Sequence, residues 1–179
     1  MPIIERQGAR IAYEISGDGP PLLLGHSLLC DARMWELVAP ELEKSFRVVN
    51  INARGHGGST APAPFTLEDL ADDWLAIIEK EGLKSPILCG LSMGGMTAMR
   101  VALTSPGAAR AIIVMDSSAD PELPRKRVEY LAMAKLVRRF GPLSPDITRR
   151  LSQSTPEQLE IWAERVLDAR AIDEVFAEN

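Results

Sequence analysis

Pro86-Ile87-Leu88-Cys89-Gly90-Leu91-Ser92-Met93-Gly94-Gly95 is the stretch from which the rest of the chain can be read. Pro86 to Gly90 is an apolar run of the length of a buried strand, and Ser92 to Thr104 is a run of small and apolar residues suited to a helix. Only Leu91 remains between them, too little for a loop, so Ser92 must sit in a sharp strand-to-helix turn. Such a turn strains the backbone at its apex. It is sterically possible only where the neighbours, here Gly90 and Gly94, lack side chains. The hydroxyl is then held clear of the backbone at a helix N-terminus, where unpaired N–H groups favour developing negative charge. A serine that merely capped a helix would need no such glycines, so Ser92 is the candidate nucleophile.

Working outward, short apolar runs alternate with helical patterns up to about Asp116, which predicts βαβ units and a parallel sheet. Ile3 to Arg6 and Arg10 to Ile15 flank Gln7-Gly8-Ala9 as an N-terminal hairpin. Pro21 to Leu24 and Phe46 to Ile51 are strands, and Met34, Trp35, Val38 and Leu42 fall at helical spacing, with Pro40 breaking or restarting that segment. Thr66 caps a helix whose apolar stripe runs from Leu67 to Ile78 and closes at Gly82. Ala111 to Met115 is a further strand. Beyond Asp120 the pattern is helical only: Arg125 to Phe140 places Tyr130, Met133, Val137 and Phe140 on one side, Gly141-Pro142 ends it, and Thr155-Pro156-Glu157-Gln158 opens a second long helix towards Phe176.

Composition narrows the function classes. The chain has 179 residues, 46% hydrophobic and 25% charged, the profile of a compact soluble domain. Lys plus Arg total 20 against 25 Asp plus Glu, a formal charge of −5, which speaks against nucleic acid and against an anionic membrane as the main partner. No apolar run reaches the roughly 20 residues of a spanning helix, and Met1 to Arg6 has no apolar signal core, so a cytoplasmic location is expected. Cys30 and Cys89 are expected to be free thiols. The six positive residues of Arg125 to Arg139 read as a solvated helix face.

With these motifs in place, the chain resembles the α/β-hydrolase family. Gly90-Leu91-Ser92-Met93-Gly94 resembles its nucleophile elbow. Leu22 to Leu28 resembles the strand and His-Gly turn that supply one oxyanion-hole amide, here Leu28, the second being Met93. Asn52-Ala53-Arg54-Gly55-His56-Gly57-Gly58-Ser59 resembles the family's Asp-x-Arg-Gly-His-Gly-x-Ser loop, and the wording around Ser27-Leu28-Leu29 and Gly90 to Met96 is most similar to the esterase and enol-lactonase branch. Ser27 stands where glycine is usual, and Asn52 where aspartate is usual. The resemblance implies an α/β fold with a mostly parallel sheet, an N-terminal hairpin, helices on both faces and a helical cap. It divides the chain into a core at 1–119 and a cap segment at 120–179. The implied substrate is a small carboxylic ester or lactone, attacked by Ser92 in an acyl transfer that uses no cofactor and no metal.

In that family the acid and the histidine of the triad follow the serine, on later strands. Only His26 and His56 occur, both before Ser92. Asp116, at the end of the last strand, matches an alternative position for the acid, and His26 is the nearer of the two candidate bases. Family members usually run about 100 residues further, so the chain is expected to be the N-terminal portion and cap of a truncated fold, with weak or incomplete catalysis. The alternative is a non-catalytic binding or structural protein that keeps the fold. With no strand following it, Ala111 to Met115 is expected to be an apolar sheet edge, through which, or through the cap, the chain forms a homo-oligomer.

Overall fold

The computed structural model describes residues 1–62, 64–119 and 124–177. The chain divides into two compact units, Met1–Ala119 and Asp120–Asn179. The first is built on a six-stranded sheet of order β1-β2-β4-β3-β5-β6. Strands β1 (Ile3–Arg6) and β2 (Ala9–Ser16) form the expected hairpin, closed by Gln7 and Gly8 at φ 49° and 78°, the pairing of positive values that a tight two-residue turn requires. Strand β2 runs antiparallel to β4 (Arg47–Ile51), and β4, β3 (Pro21–Gly25), β5 (Ile87–Leu91) and β6 (Ala111–Met115) are parallel.

Each face of the sheet has its own apolar layer. Leu23, Val49, Ile51 and Leu88 point to one side, where they pack with Trp74 and Ile77 of α2 (Leu67–Lys80) and Ala98 and Val101 of α3 (Met93–Thr104). Leu22, Leu24, Val48 and Cys89 point to the other, against Trp35 of a short 3-10 helix (Ala32–Trp35) and Ala39 of α1 (Ala39–Leu42). The segment around Pro40 is therefore restarted: the 3-10 turn ends at Trp35 and α1 begins with proline in its first turn, where the missing N–H costs nothing. Thr66 and Asp69 close a reciprocal capping box that starts α2, and the bonds from Thr66 hold the Asp69 carboxyl below its usual range. Strand β6 is the sheet's last strand, with Ile112 40%, Ile113 46% and Val114 37% exposed.

The second unit is helical: α4 (Pro124–Phe140), α5 (Pro145–Gln153), α6 (Pro156–Arg165) and α7 (Ile172–Val175). Ala132 and Leu136 of α4, Leu151 of α5, and Leu159 and Trp162 of α6 form its core, with Met133 and Phe140 at the margin. The side chain of Tyr130, expected on this face, lies outside the described residues, as do those of Arg125, Lys126 and Arg127. The single long helix expected from Thr155 towards Phe176 is instead two. Helix α6 ends in turns after Arg165, and Ala171, with extended backbone, starts α7. The expected solvated basic face of α4 is also modified: Lys135 Nζ donates to Ala163 O at 3.2 Å and Arg139 Nε to Ala169 O at 3.0 Å, satisfying carbonyls towards and just beyond the C-terminal end of α6. Among the described residues no helix is long and apolar enough to cross a membrane.

Candidate active site

The turn between β5 and α3 puts Ser92 at φ 51°, ψ −113°, a region that side-chain-bearing residues rarely occupy. The geometry around it explains all the glycines. A Cβ at Gly90 would collide with the Gly94 backbone, one at Gly94 would collide with the Gly25 backbone, and one at Gly95 would lie 2.9 Å from Ser117 Cβ and still nearer its hydroxyl. Backbone therefore lies directly on backbone, and the turn is pinned from both sides: Ser92 N donates to Met115 O at 2.9 Å, and Gly94 N donates to His26 O at 3.1 Å. Ser92 itself is half-buried and its hydroxyl makes no capping bond.

Sequence reasoning missed Ser117. Its hydroxyl sits 2.8 Å from Ser92 O and 2.9 Å from Met115 O, so it stitches the end of β6 to the strained turn. The only signal was the third glycine, Gly95, which leaves the space that Ser117 occupies.

The Gly94-to-His26 bond brings the turn after β3 beside the elbow. Here Leu28 is half-buried, and among the described residues no hydrogen bond occupies the amide of Leu28 or of Met93. The positive-φ residue of the turn is Leu29, at 62°, rather than Ser27, so the serine that replaces the usual glycine sits in backbone that tolerates a side chain. Cys30 N closes the turn onto Ser27 O at 3.2 Å.

His26 is 1% exposed and both ring nitrogens are in use: Nδ1 donates to Ser27 O at 2.8 Å and Nε2 accepts from Ala53 N at 3.0 Å. Those partners define the neutral tautomer, and burial lowers its pKa below the usual histidine value. His56 lies alongside, ring centroids 5.1 Å apart, with Nδ1 donating to Arg54 O at 2.8 Å and Nε2 facing Leu29 N at 3.4 Å. Both rings brace the loop 52–59 against the turn that follows β3. Asp116 is exposed at the end of β6 with φ 43°. Cys89 is buried, which raises its thiol pKa, and Cys30 is exposed; both are free thiols.

Loop 52–59 is held by polar contacts that spacing alone did not reveal. Arg54 makes a two-pronged bond to Asp73 of α2, at 2.6 and 2.9 Å, with side chains only 5% and 3% exposed. That pairing raises the Arg54 pKa and keeps the guanidinium charged. Ser59 Oγ donates to Asn52 O and accepts from Ala12 N, each at 2.8 Å. Asn52 Oδ1 accepts from Ala32 N at 2.9 Å, an acceptor role that the usual aspartate would fill equally well. Cavities of about 530 and 630 Å³ open elsewhere on this unit, and neither is lined by Ser92, so the strained turn and its open amides mark the candidate site rather than cavity size.

The fold and this turn together define a class of protein: the alpha/beta hydrolase fold family matches residues 20–155, and the chain belongs to it. It is 33% identical over 119 residues to 3-oxoadipate enol-lactonase 1 of Acinetobacter baylyi, covering 65% of this chain and 45% of that protein. It is 31% identical over 144 residues to the sn-1-specific diacylglycerol lipase ABHD11 of Xenopus tropicalis, covering 79% of this chain and 45% of that one. Among solved structures, a thermophilic esterase from Thermogutta terrifontis superposes with a TM-score of 0.69 at 30% identity, covering 97% of this chain and 67% of the esterase. The enol-lactonase from Burkholderia xenovorans LB400 gives 0.66 at 28% identity, covering 97% and 70%. The chain thus spans a little under half the length of the curated relatives it matches.

Proposed function

We propose that this chain carries the nucleophile and oxyanion hole of a serine hydrolase acting on a carboxylic ester or lactone. Ser92 Oγ attacks the carbonyl carbon, the π electrons move onto the carbonyl oxygen, and the amides of Leu28 and Met93 donate to that oxyanion. Collapse breaks the bond to the leaving oxygen, which takes up from solvent the proton that Ser92 loses and departs as the alcohol, leaving Ser92 acylated; water then adds to the acyl carbon, the bond to Ser92 Oγ breaks, and the acid leaves as Oγ is reprotonated. The observation that carries this reading is the elbow itself: Ser92 at φ 51°, its turn tied by Gly94 N to His26 O, with two unoccupied amides nearby. The names of the relatives, enol-lactonase, lipase and esterase, support the ester or lactone class. Residues 1–119 are read as the core of the fold and the helical residues 120–179 as its cap segment. Two free thiols, one of them exposed, fit a reducing, cytoplasmic setting. The apolar β6 edge fits pairing with a second copy across a two-fold axis, and a monodisperse monomer in sedimentation at micromolar concentration would overturn that part.

Proton transfer limits the rate in this scheme. His26 and His56 both spend their nitrogens on backbone groups, and Asp116 has no histidine after it to orient, so Ser92 within these residues lacks a poised base. The expected activity is the residual rate enhancement of about a thousandfold to ten-thousandfold over water that an oxyanion hole and binding supply. A fluorophosphonate should therefore label the chain slowly, at one site, and Ser92→Ala should abolish the label. The engaged histidines equally favour a second reading, a non-catalytic binding protein on the same fold. Absence of any label, or label that survives Ser92→Ala, would establish that reading instead.

A further inference from the structure

The hydroxyl of Ser117 lies 2.8 Å from Ser92 O and 2.9 Å from Met115 O. Both neighbours are carbonyl oxygens, so the hydroxyl is the donor and its one proton is shared between them. The backbone turns at Asp116, φ 43°, directly after β6, and the half-buried Ser117 comes back beside the elbow. The Ser92 peptide groups are thereby gripped from two elements. Ser92 N donates to Met115 O at 2.9 Å, and Ser92 O accepts both from Met96 N, at 2.9 Å, and from Ser117 Oγ. Without Ser117 the carbonyl would still have Met96 N, so the hydroxyl is not there to satisfy an orphaned acceptor. What it adds is direction: Met96 belongs to the first turn of α3 and moves with that helix, whereas Ser117 ties the carbonyl to the end of β6.

The carbonyl of Ser92 and the N–H of Met93 belong to one peptide unit. That unit is planar and trans, so the two bonds point in opposite directions and turn together. Whatever fixes the carbonyl fixes the line along which the N–H donates. A hydrogen bond accepted by the carbonyl also polarises the unit and makes its N–H the stronger donor. We infer that Ser117 is a positioning residue: by holding the Ser92 carbonyl through its hydroxyl, it aims the Met93 N–H at the oxyanion. The inference rests on the reading of Ser92 as nucleophile and Met93 N as oxyanion donor, and it adds to that reading a side chain that acts through the main chain rather than on the substrate.

The test is fluorophosphonate labelling of the full chain, resolved into reagent affinity and maximal labelling rate, with the Met93 amide proton followed by NMR. In this reaction Ser92 Oγ bonds to phosphorus, fluoride leaves, the serine proton passes to solvent, and the phosphonyl oxygen takes the place of the oxyanion. In the parent the Met93 proton should move downfield on labelling. Ser117→Ala should lower the maximal rate about tenfold, less than the roughly hundredfold to thousandfold lost with an oxyanion donor itself, leave the affinity within about twofold, and shrink the Met93 shift. Ser117→Cys, similar in size but a weak donor, should fall to the same level, and Ser117→Thr, which keeps the hydroxyl, should recover most of the rate. A residue that only supported the fold would lower the unfolding midpoint and leave the rate and the Met93 shift of the folded chain in place. Parent-like rates in Ser117→Ala or Ser117→Cys, an undiminished Met93 shift, or a Ser117→Thr variant as slow as Ser117→Ala overturns the inference while the role of Ser92 stands. A parent chain that takes no label at Ser92 overturns the reading beneath it, and the inference with it.

Discussion

In the sheet unit the tightest constraints are backbone against backbone. Gly94 rests on Gly25, Gly90 on Gly94, and the loop 52–59 is locked by a buried ion pair and by hydroxyl and carboxamide bonds. In the helical unit the constraints are side-chain packing and capping: Leu136, Leu151 and Leu159 fill the core, Ser144 and Thr155 cap α5 and α6 before prolines, and Lys135 and Arg139 reach carbonyls of α6 and the turn after it. The difference teaches where each unit can absorb change. A packed helix bundle can relax around a lost methyl group, whereas a backbone contact has nothing to trim and a buried charge has nowhere to go.

The largest expected effect tests the polar lock of the sheet unit. Asp73→Ala strands the Arg54 guanidinium at 5% exposure, and a loss of about 3 to 5 kcal/mol is expected in denaturant unfolding. A loss below about 1 kcal/mol would mean that the pair is solvated and the contrast drawn above is wrong. Leu136→Ala removes a fully buried side chain of the helical unit and should cost about 3 kcal/mol. Segment-resolved hydrogen exchange should quicken in α4 to α6 and stay unchanged in β3, β4 and β5; equal quickening in both would break the comparison. Thr155→Ala removes the hydroxyl that accepts from Gln158 N at 3.3 Å and should cost about 1 kcal/mol, confined to α6.

The smallest effect is a pH slope. Burial lowers the His26 pKa in the folded chain below its unfolded value of 6.5, so the unfolded chain binds the proton more readily. The stability that His26 contributes is complete above 6.5 and is lost as pH falls from there through the folded value. His26→Gln should flatten that part of the stability profile, and a slope of unchanged size in the variant would assign it to other groups.

Much of this architecture was legible because it is local. The strand runs, the Thr66 cap and the Gly90 to Gly95 turn each follow from residues within a few positions of one another, and the structure differs from their expected bounds by a residue or so. Helix α5 escaped notice although Ser144-Pro145-Asp146 starts it with the same signal as Thr155-Pro156-Glu157, because its apolar content, Ile147 and Leu151, is too sparse to show a period. The break between α6 and α7 escaped for the opposite reason: apolar residues continue through Val166, Leu167 and Ala169 while the chain turns. At the candidate site Ser92, Leu28 and Met93 were placed by motif. The partners Ser117 and Asp73 were not, since each acts across a sequence separation of 19 to 25 residues, which no periodicity records.

The resting of Gly94 on Gly25 has one more consequence. Because main chain meets main chain there, the spacing between the two turns is set by van der Waals radii and one amide-to-carbonyl bond, independent of which hydrophobic residues fill the layers beneath. Leucines, valines and isoleucines of the interior could be exchanged, by drift or by engineering, while the spacing between the two turns keeps its value. A single methyl group added at either glycine would undo that independence.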